Sequence, residues 1–337
     1  MLFKMNGVKK ASLPVVAIDL GGSKIAAAII SREYQILARE YHPTLASEGV
    51  ASVINRIATA VKQITASTST ALSQTCGITI AAAGAIDHKR GGTVTLSPNL
   101  PGWRDVPLGS IIQERLGSRT WLINDANAAA LGEHYLGAGR GVGNLIYLTV
   151  GTGIGGAIIT NGQLYTGACG SAGEIGHMTI DTNGPRCECG NVGCLETLAS
   201  GSAIAREAIR RISSGERSSL TELTDGKIAD ITAREVAIAA RQGDPLAGSV
   251  INNAAAYLGV GMVNLVNIFN PEMIIVGGGV ASMGDLLLNP ARQVVKERAF
   301  PVSSAAASIV ITELGHDAGL LGAAHFAFKQ AGDREEA

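Results

Sequence analysis

The N-terminal part of the chain alternates short apolar runs with turn residues, a pattern that predicts a sheet. PVVAIDLGG predicts a strand entering a glycine turn, and SKIAAAIIS and YQILAREYH follow at hairpin spacing. Residues 48–65 have helical periodicity, and TCGITIAAAGAID predicts a buried strand ending in a glycine loop. RTWLIND predicts a further strand, which leads into the helix ANAAALGEHYLGAG. We therefore expect an antiparallel start followed by alternating helices and strands.

The rest of the chain repeats this plan. NLIYLTVGTGIGG again predicts a strand entering a glycine turn, and AIITNGQLYTG predicts its hairpin partner. Helices are predicted over 199–213, 233–241 and 253–270, then the strand MIIVGGGV and a closing helix over 319–329. We expect two α/β domains: a small one of residues 1–124, joined by the C-terminal helix 316–330, and a larger one of residues 125–315.

Two charge-poor stretches have to be tested as membrane spans. Residues 141–173 are too rich in glycine for a stable helix. Residues 253–270 approach the length of a span but contain four asparagines, so a buried helix in a large core is the better interpretation. The basic N-terminus is followed by an apolar run that is short and interrupted by Asp19, which argues against an export signal.

The composition is that of an ordinary globular protein. The 337 residues are 46% hydrophobic and carry a formal net charge of -1, which gives no reason to expect nucleic acid or an anionic membrane as partner. The five cysteines are not spaced as a disulfide framework. We expect a soluble protein in a reducing cytoplasm.

Three glycine turns follow predicted strands: DLGGSK over 19–24, GTGIGG over 151–156 and GGG over 277–279. Glycine at such a place lets backbone N–H groups approach phosphate, although an ordinary tight turn uses glycine as well. GTGIGG matches a dinucleotide-binding spacing, but the residues after it alternate like a strand, and that motif requires a helix there. GGSK does not complete a Walker A loop either. Phosphate held by two equivalent hairpin turns is the hypothesis that survives.

Three cysteines lie within eight residues, in CECGNVGCLE. Cys187, Cys189 and Cys194 with His177 provide three thiolates and one imidazole, which can fill all four positions of a structural zinc site. A redox pair would favour C-x-x-C spacing, while a coincidental group of buried thiols stays open. Cys76 and Cys169 lie outside the cluster, and we expect both to be small core residues.

Two aspartates follow predicted strands. Asp125 can cap the helix that begins beside it, or it can serve as a general base toward a hydroxyl group. Asp19 lies next to the first glycine turn, where a solvated turn residue is the ordinary interpretation. The residues alone leave both alternatives open.

Combinations of these motifs resemble known families. AIDLGGSK, LTVGTGIGGA and IIVGGGV resemble the two phosphate motifs and the adenosine motif of the actin-like ATPase and sugar-kinase fold. INDANAAALGE, GSAGEIGHM, CECGNVGCLE and SPNLPGW together resemble the ROK family (repressors, open reading frames and kinases), over about residues 15–328. The resemblance implies an α/β, actin-like ATPase (ribonuclease H-like) fold, with two similar domains, mixed sheets and a cleft between them.

The family resemblance also implies roles for single residues. Asp125 would be the catalytic base, Asp19 would help hold Mg²⁺ through water, and the zinc loop would orient the sugar ligands on either side of it. The implied sugar-binding residues are Gly84, Asn99, Asn124, Asp125, Glu174, His177 and Glu196. The implied nucleotide-binding residues are Asp19, Gly21, Gly22, Ser23, Lys24, Thr152, Gly153, Gly277 and Gly278. The implied zinc ligands are His177, Cys187, Cys189 and Cys194.

The function implied is an ATP-dependent hexose kinase acting on the 6-hydroxyl of glucose, because SPNLPGW resembles the glucokinase branch. Family members that select N-acetylmannosamine tend to have arginine where this chain has Ala85. A kinase of broad hexose or N-acetylhexosamine specificity is the first alternative. A sugar-sensing regulator is the second, although some fourteen residues before VVAIDLGG are too few for a DNA-binding domain. A zinc-stabilised binding module is the third. Family members are usually dimers, so we expect a homodimer or a dimer-based tetramer.

Overall fold

The computed structural model describes residues 13–97 and 100–332. They divide into two compact units, which are described separately below. Unit 1 contains the described residues up to Gly137, the segment Thr166–Ser171 and the described residues from His316 onward. Unit 2 contains Ala138–Tyr165 and Ala172–Gly315. The division into domains at residues 124 and 125 stays a prediction from the sequence.

The strands are, in chain order, β1 Val15–Leu20, β2 Lys24–Ile30, β3 Ile36–Pro43, β4 Ile78–Ala82, β5 Ala85–Asp87, β6 Thr93–Leu96, β7 Arg104–Val106, β8 Thr120–Asn124, β9 Leu145–Val150, β10 Ile154–Thr160, β11 Gln163–Leu164, β12 Met273–Gly277 and β13 Ser308–Ile311. The helices are α1 Val50–Ser67, α2 Leu108–Leu116, α3 Asp125–Leu136, α4 Leu195–Ala199, α5 Gly201–Ser213, α6 Leu220–Leu223, α7 Ala233–Arg241, α8 Pro245–Phe269, α9 Asp285–Arg298, α10 Pro301–Ala306 and α11 Ala318–Gly332. Short 3-10 turns connect several of them.

The main sheet of unit 1 has the order β3-β2-β1-β4-β8. β1, β2 and β3 are antiparallel hairpin neighbours, whereas β1, β4 and β8 run parallel. The register pairs Leu20 with Ala82 and Ala82 with Asn124, so these three strands end level with one another. The residues that follow them therefore meet at one edge of the sheet. α3 leaves this edge and packs along α11.

The main sheet of unit 2 has the order β11-β10-β9-β12-β13. β9, β10 and β11 are antiparallel, and β9, β12 and β13 are parallel, as in the corresponding strands of unit 1. Each unit also has its own cluster of buried apolar side chains. The duplicated architecture predicted from the sequence is confirmed, and the fold is the actin-like ATPase fold.

The long charge-poor helix of unit 2 begins earlier than predicted. α8 starts at Pro245, eight residues before the predicted start at residue 253, because Asp244 caps it by accepting from the N–H of Ala247 and proline fits a first helical turn. Among the described residues it is the one helix long and apolar enough to cross a membrane. A core helix of a soluble protein passes the same test, and 56% of its apolar window is buried.

The structure adds elements that sequence periodicity did not predict. β5, β6 and β7 form a separate three-stranded sheet, so the residues after Gly84 leave the main sheet. α2 and α9 are further additions, and α9 contains Pro290, which obscures a helical pattern. Cys76 is buried as predicted, but Cys169 is exposed, so the prediction that Cys169 is a core residue is wrong. Cys169 lies in a loop, where no strand or helix directs its side chain inward.

Candidate functional site

Asn124 and Asp125 lie where β8 passes into α3. Asn124 is the N-cap: its Oδ1 accepts from the N–H of Asn127 at 3.0 Å, and its Nδ2 donates to the carbonyl of Gly84 at 3.1 Å. Asp125 is the first helical residue, and its Oδ1 accepts from the N–H of Ala126 at 2.9 Å. The capping role considered for Asp125 therefore belongs to Asn124. The helix begins one residue earlier than a cap at Asp125 would require.

Two partly buried carboxylates, Asp19 and Asp125, lie at this edge of unit 1. Burial raises the pKa of Asp125, while hydrogen bonds from the N–H groups of Ala126 and of Asp125 itself oppose that shift. Burial likewise raises the pKa of Asp19 to about 6; the charge of Asp125 adds to the shift and that of Lys24 opposes it. A buried carboxylate with a raised pKa is a stronger proton acceptor than one in water. The edge is therefore chemically suited to general-base work.

Gly84 and Asn99 were both predicted to bind sugar. Gly84 has φ 103°, and a Cβ there would overlap the carbonyl of Leu96, so backbone geometry already requires glycine. Its carbonyl also anchors the cap residue Asn124. Asn99 lies outside the described residues.

The β1–β2 turn contains Gly21, Gly22, Ser23 and the start of β2 at Lys24. Gly21 donates to the carbonyl of Lys24 at 3.0 Å, and Gly22 and Ser23 are exposed. The fully buried Thr44 holds the turn from the end of β3. Its N–H donates to the carbonyl of Ser23 at 2.9 Å and its hydroxyl to the carbonyl of Gly21 at 2.7 Å.

Sequence reasoning missed Thr44 and also Gly319, a residue of the first turn of α11 that lies beside the Asp19 carboxylate. The signals were a threonine directly after a strand and a glycine at a helix start. Each signal is common, so neither could have singled out these positions.

The β9–β10 turn contains Thr152 and Gly153, with Thr152 exposed. Gly151 donates to the carbonyl of Gly153 at 2.9 Å. Oε2 of Glu196 accepts from the N–H of Ile154 at 2.9 Å, and a Cβ at Gly153 would overlap the same oxygen. Glu196, predicted as a sugar ligand, therefore contacts the predicted phosphate turn directly.

Gly277 and Gly278 were predicted to face adenosine at the end of β12. Gly277 lies against the hydroxyl of Tyr147, and Gly278 lies against the backbone of Val150. Both contacts join the end of β12 to β9, the strand that leads into the β9–β10 turn. This places the two glycines at the same edge of the unit 2 sheet as the turn.

The four predicted zinc ligands come together in unit 2, with all four ligand atoms within 4.8 Å of one another. Sγ of Cys187 lies 3.7 Å from Nδ1 of His177, and Sγ of Cys189 lies 3.7 Å from Sγ of Cys194. Tetrahedral zinc with Zn–S bonds of about 2.3 Å separates two sulfurs by about 3.8 Å, so these residues fit the metal.

The imidazole of His177 has two different neighbours. Its Nδ1 faces Cys187, while its Nε2 lies 3.9 Å from Oε2 of Glu174. A ring held by metal through one nitrogen presents the other nitrogen outward as a donor. The carboxylate of Glu174 thus lies near the ring nitrogen of His177 that does not face Cys187.

The predicted residues thus fall into two groups, one in each unit. Unit 1 brings together Asp19, the β1–β2 turn, Gly84, Asn124 and Asp125 at its sheet edge. Unit 2 brings together the β9–β10 turn, Glu196, Gly277, Gly278 and the Cys/His cluster with Glu174.

Comparison with known proteins identifies the family. The sequence profile of the ROK family matches residues 15–330, and the chain belongs to that family. The glucokinase of Thermotoga maritima is 37% identical over 312 residues, which cover 93% of this chain and 96% of that protein. The crystal structure of a ROK family glucokinase from Streptomyces griseus, in complex with glucose and AMPPNP, matches with a TM-score of 0.83 and 36% identity. That match covers 94% of this chain and 99% of the other.

The family is not composed of kinases alone. The xylose repressor of Caldicellulosiruptor bescii is 34% identical, over 91% of this chain and 76% of the repressor. Relatives of this chain therefore include both sugar kinases and a transcriptional repressor.

Proposed function

We propose that the protein is an ATP-dependent hexose kinase that transfers the γ-phosphoryl group of ATP to the 6-hydroxyl of glucose. The observation that carries the proposal is the carboxylate of Asp125, which lies at the start of α3, on the same sheet edge as Asp19, with Oδ1 held by the N–H of Ala126. The similarity to two glucokinases over nearly the whole chain supports the same activity.

Asp125 accepts the proton of the sugar hydroxyl as that oxygen attacks phosphorus. In phosphoryl transfer the protein mainly positions the reactants and neutralises charge, with a carboxylate receiving the proton. The N–H of Ala126 holds one oxygen of Asp125 and so fixes the direction of the other. Asp19 would help hold Mg²⁺ through water, and that ion, when bound, would neutralise charge on the phosphates.

The glycine turns provide the phosphate contacts. We assign these contacts to Gly21, Gly22, Ser23 and Lys24 in unit 1 and to Thr152 and Gly153 in unit 2. Gly22, Ser23, Lys24 and Thr152 are exposed and offer polar side chains and backbone to a phosphate. Gly277 and Gly278 are assigned to the adenosine.

The sugar is held by Asn124, Glu174, His177 and Glu196, together with Gly84 and Asn99. A carboxylate accepts at both oxygens, so Glu196 can hold the N–H of Ile154 through Oε2 and a sugar hydroxyl through Oε1. Zinc on Cys187, Cys189, Cys194 and His177 would be structural, because four protein ligands leave no position for a reactant. We assign the protein to the reducing cytoplasm, as a homodimer or a dimer-based tetramer.

Two alternatives have specific support. Broad hexose or N-acetylhexosamine specificity is the closer one, since only Ala85 argues against an acetylated sugar. A sugar-sensing regulator is the second, because a xylose repressor is a relative of nearly equal identity.

The test is ADP release with ATP and Mg²⁺ against glucose, mannose, fructose and the two N-acetylhexosamines. Wild type, Asp125→Asn and the exposed control Asp230→Asn are assayed in parallel. We expect turnover with glucose that falls by at least about 100-fold in Asp125→Asn and is unchanged in Asp230→Asn. Preference for an acetylated sugar would support the first alternative. Sugar binding without turnover in zinc-loaded wild-type protein would support the regulator.

A further inference from the structure

The segments that carry the Cys/His cluster are also the segments that hold the β9–β10 turn. The cluster has two arms in the sequence: residues 173–177, which end in His177, and residues 194–202, which begin with Cys194. Both arms contact the first residues of β10.

The arm before His177 lies directly on β10. A Cβ at Gly176 would overlap the carbonyl of Ile154, and a Cβ at Gly173 would lie 2.7 Å from the carbonyl of Gly156. Ile175 is 3% exposed and packs against Gly156 from the same side. Any shift of His177 along the chain is therefore transmitted to β10, because close-packed backbone cannot absorb it.

The arm after Cys194 reaches the turn itself. Oε2 of Glu196 accepts from the N–H of Ile154 at 2.9 Å, and the N–H of Gly201, at the start of α5, donates to the carbonyl of Gly151 at 2.7 Å. These bonds fix both ends of the turn that contains Thr152 and Gly153. Cys194 and Leu195 are fully buried, so α4 is anchored directly behind Glu196.

We infer that Glu196 is a positioning residue for the β9–β10 turn, and that through it the Cys/His cluster sets the turn in the shape that receives the phosphates of a nucleotide. This inference rests on the proposed kinase function for the identity of the ligand. It assigns Glu196 an effect on nucleotide binding that a contact with sugar alone would not have.

The experiment measures binding of AMPPNP with Mg²⁺ by calorimetry in the absence of sugar, and amide hydrogen exchange of the peptide around Ile154. The variants are Glu196→Ala, Glu196→Gln and Glu188→Ala. Glutamine keeps an acceptor oxygen for Ile154, whereas alanine removes it. Glu188 is an exposed carboxylate in the same cysteine loop, so it controls for loss of charge near the cluster.

We expect AMPPNP to bind about tenfold more weakly to Glu196→Ala, because a charged acceptor of a backbone N–H is lost. Exchange around Ile154 should rise in the same variant. Glu196→Gln should stay within about threefold of wild type, Glu188→Ala should be unchanged, and all variants should retain zinc.

Gly153→Ala should break the same hydrogen bond, between Glu196 and Ile154, without changing Glu196 itself. Its Cβ would occupy the place of Oε2 and push the flexible Glu196 side chain away, so we expect the same loss of AMPPNP affinity. The double variant Gly153→Ala with Glu196→Ala should lose less binding free energy for AMPPNP than the sum of the two single variants, because both substitutions remove the same hydrogen bond.

Unchanged AMPPNP binding and unchanged exchange in Glu196→Ala, with a raised KM for glucose, would show that Glu196 contacts only sugar and would overturn the inference. Loss of zinc from Glu196→Ala would also overturn it, since the residue would then act on the loop as a whole. If wild type does not bind AMPPNP, the proposed function fails and the nucleotide part of the inference fails with it. Exchange around Ile154 still decides whether Glu196 holds the turn.

Discussion

The β1–β2 turn and the β9–β10 turn occupy equivalent places in two sheets of identical strand order, but different groups hold them. A buried neutral residue, Thr44, ties the first turn to the end of β3 within its own sheet. A carboxylate, Glu196, and the start of α5 tie the second turn to a chain segment that begins in the cysteine loop. Two units of the same architecture can therefore hold equivalent turns differently, one through its own sheet and the other through the segment that carries the Cys/His cluster.

Removing the proposed zinc should produce the largest difference in hydrogen exchange between the two turns. Zinc bound by all four residues would make metal binding part of the folding free energy of the loop. We expect chelation, or Cys194→Ser, to lower turnover by at least about tenfold and to raise hydrogen exchange over residues 151–156. Exchange over residues 20–24 should not change, since Thr44 holds that turn without metal. Equal increases in exchange at both turns would contradict the comparison.

The ionised carboxylate of Asp19, beside the β1–β2 turn, should lower the free energy of unfolding at neutral pH. Asp19 has its pKa raised from 3.8 to about 6, so the folded protein binds this proton more tightly than the unfolded chain does. The contribution of Asp19 to the free energy of unfolding is therefore at its maximum below about pH 4 and is lost as pH rises through 6. Relative to that maximum, the free energy of unfolding falls by at most about 3 kcal/mol at pH 7.5 and by about half of that at pH 5.

Asp19→Asn should accordingly raise the free energy of unfolding at pH 7.5, with a smaller gain at pH 5, while turnover falls. Urea unfolding at the two pH values, without added magnesium, measures this difference. Asp230→Asn is the control, as its exposed side chain should give no gain at either pH. A gain in Asp19→Asn that does not depend on pH would contradict the assignment of the raised pKa to this group.

The smallest expected effect concerns Thr44. Thr44→Val keeps the shape of the side chain but removes the hydroxyl that donates to Gly21, whereas Thr44→Ser keeps that donor. We expect Thr44→Val to lower the free energy of unfolding by about 1 kcal/mol and to raise hydrogen exchange only in the β1–β2 turn. Thr44→Ser should retain most of the protection. If Thr44→Val also loosens the β9–β10 turn, the two turns are not independently held.

Local patterns predicted much of the fold. The strands that enter each glycine turn, the helix α3 after RTWLIND, and the duplication of the plan all follow from periodicity and turn residues, which act between neighbours in the chain. The early start of α8 was missed although Asp244 and Pro245 are start signals. The three-stranded sheet was missed because its strands are too short to show a period.

Sequence patterns likewise predicted some features of the candidate site and misplaced others. Cys187, Cys189 and Cys194 are close in sequence, so their spacing alone predicted that they cluster with His177. The capping role was misplaced by one residue, from Asn124 to Asp125, because both residue types make good caps and only the backbone angles decide. Cys169 was misplaced because burial of a loop residue depends on contacts that are distant in sequence.

The sequence by itself determined the family, most strands and helices of the two main sheets, and the donor set of the cluster, since each depends on residue types at short spacing. Only the tertiary structure decided that Glu196 holds Ile154, that Thr44 holds Gly21, and that Asp19 and Asp125 share one sheet edge. Those pairs are separated by tens of residues or more, and their hydrogen bonds and pKa shifts arise only when folding brings the groups together and excludes water.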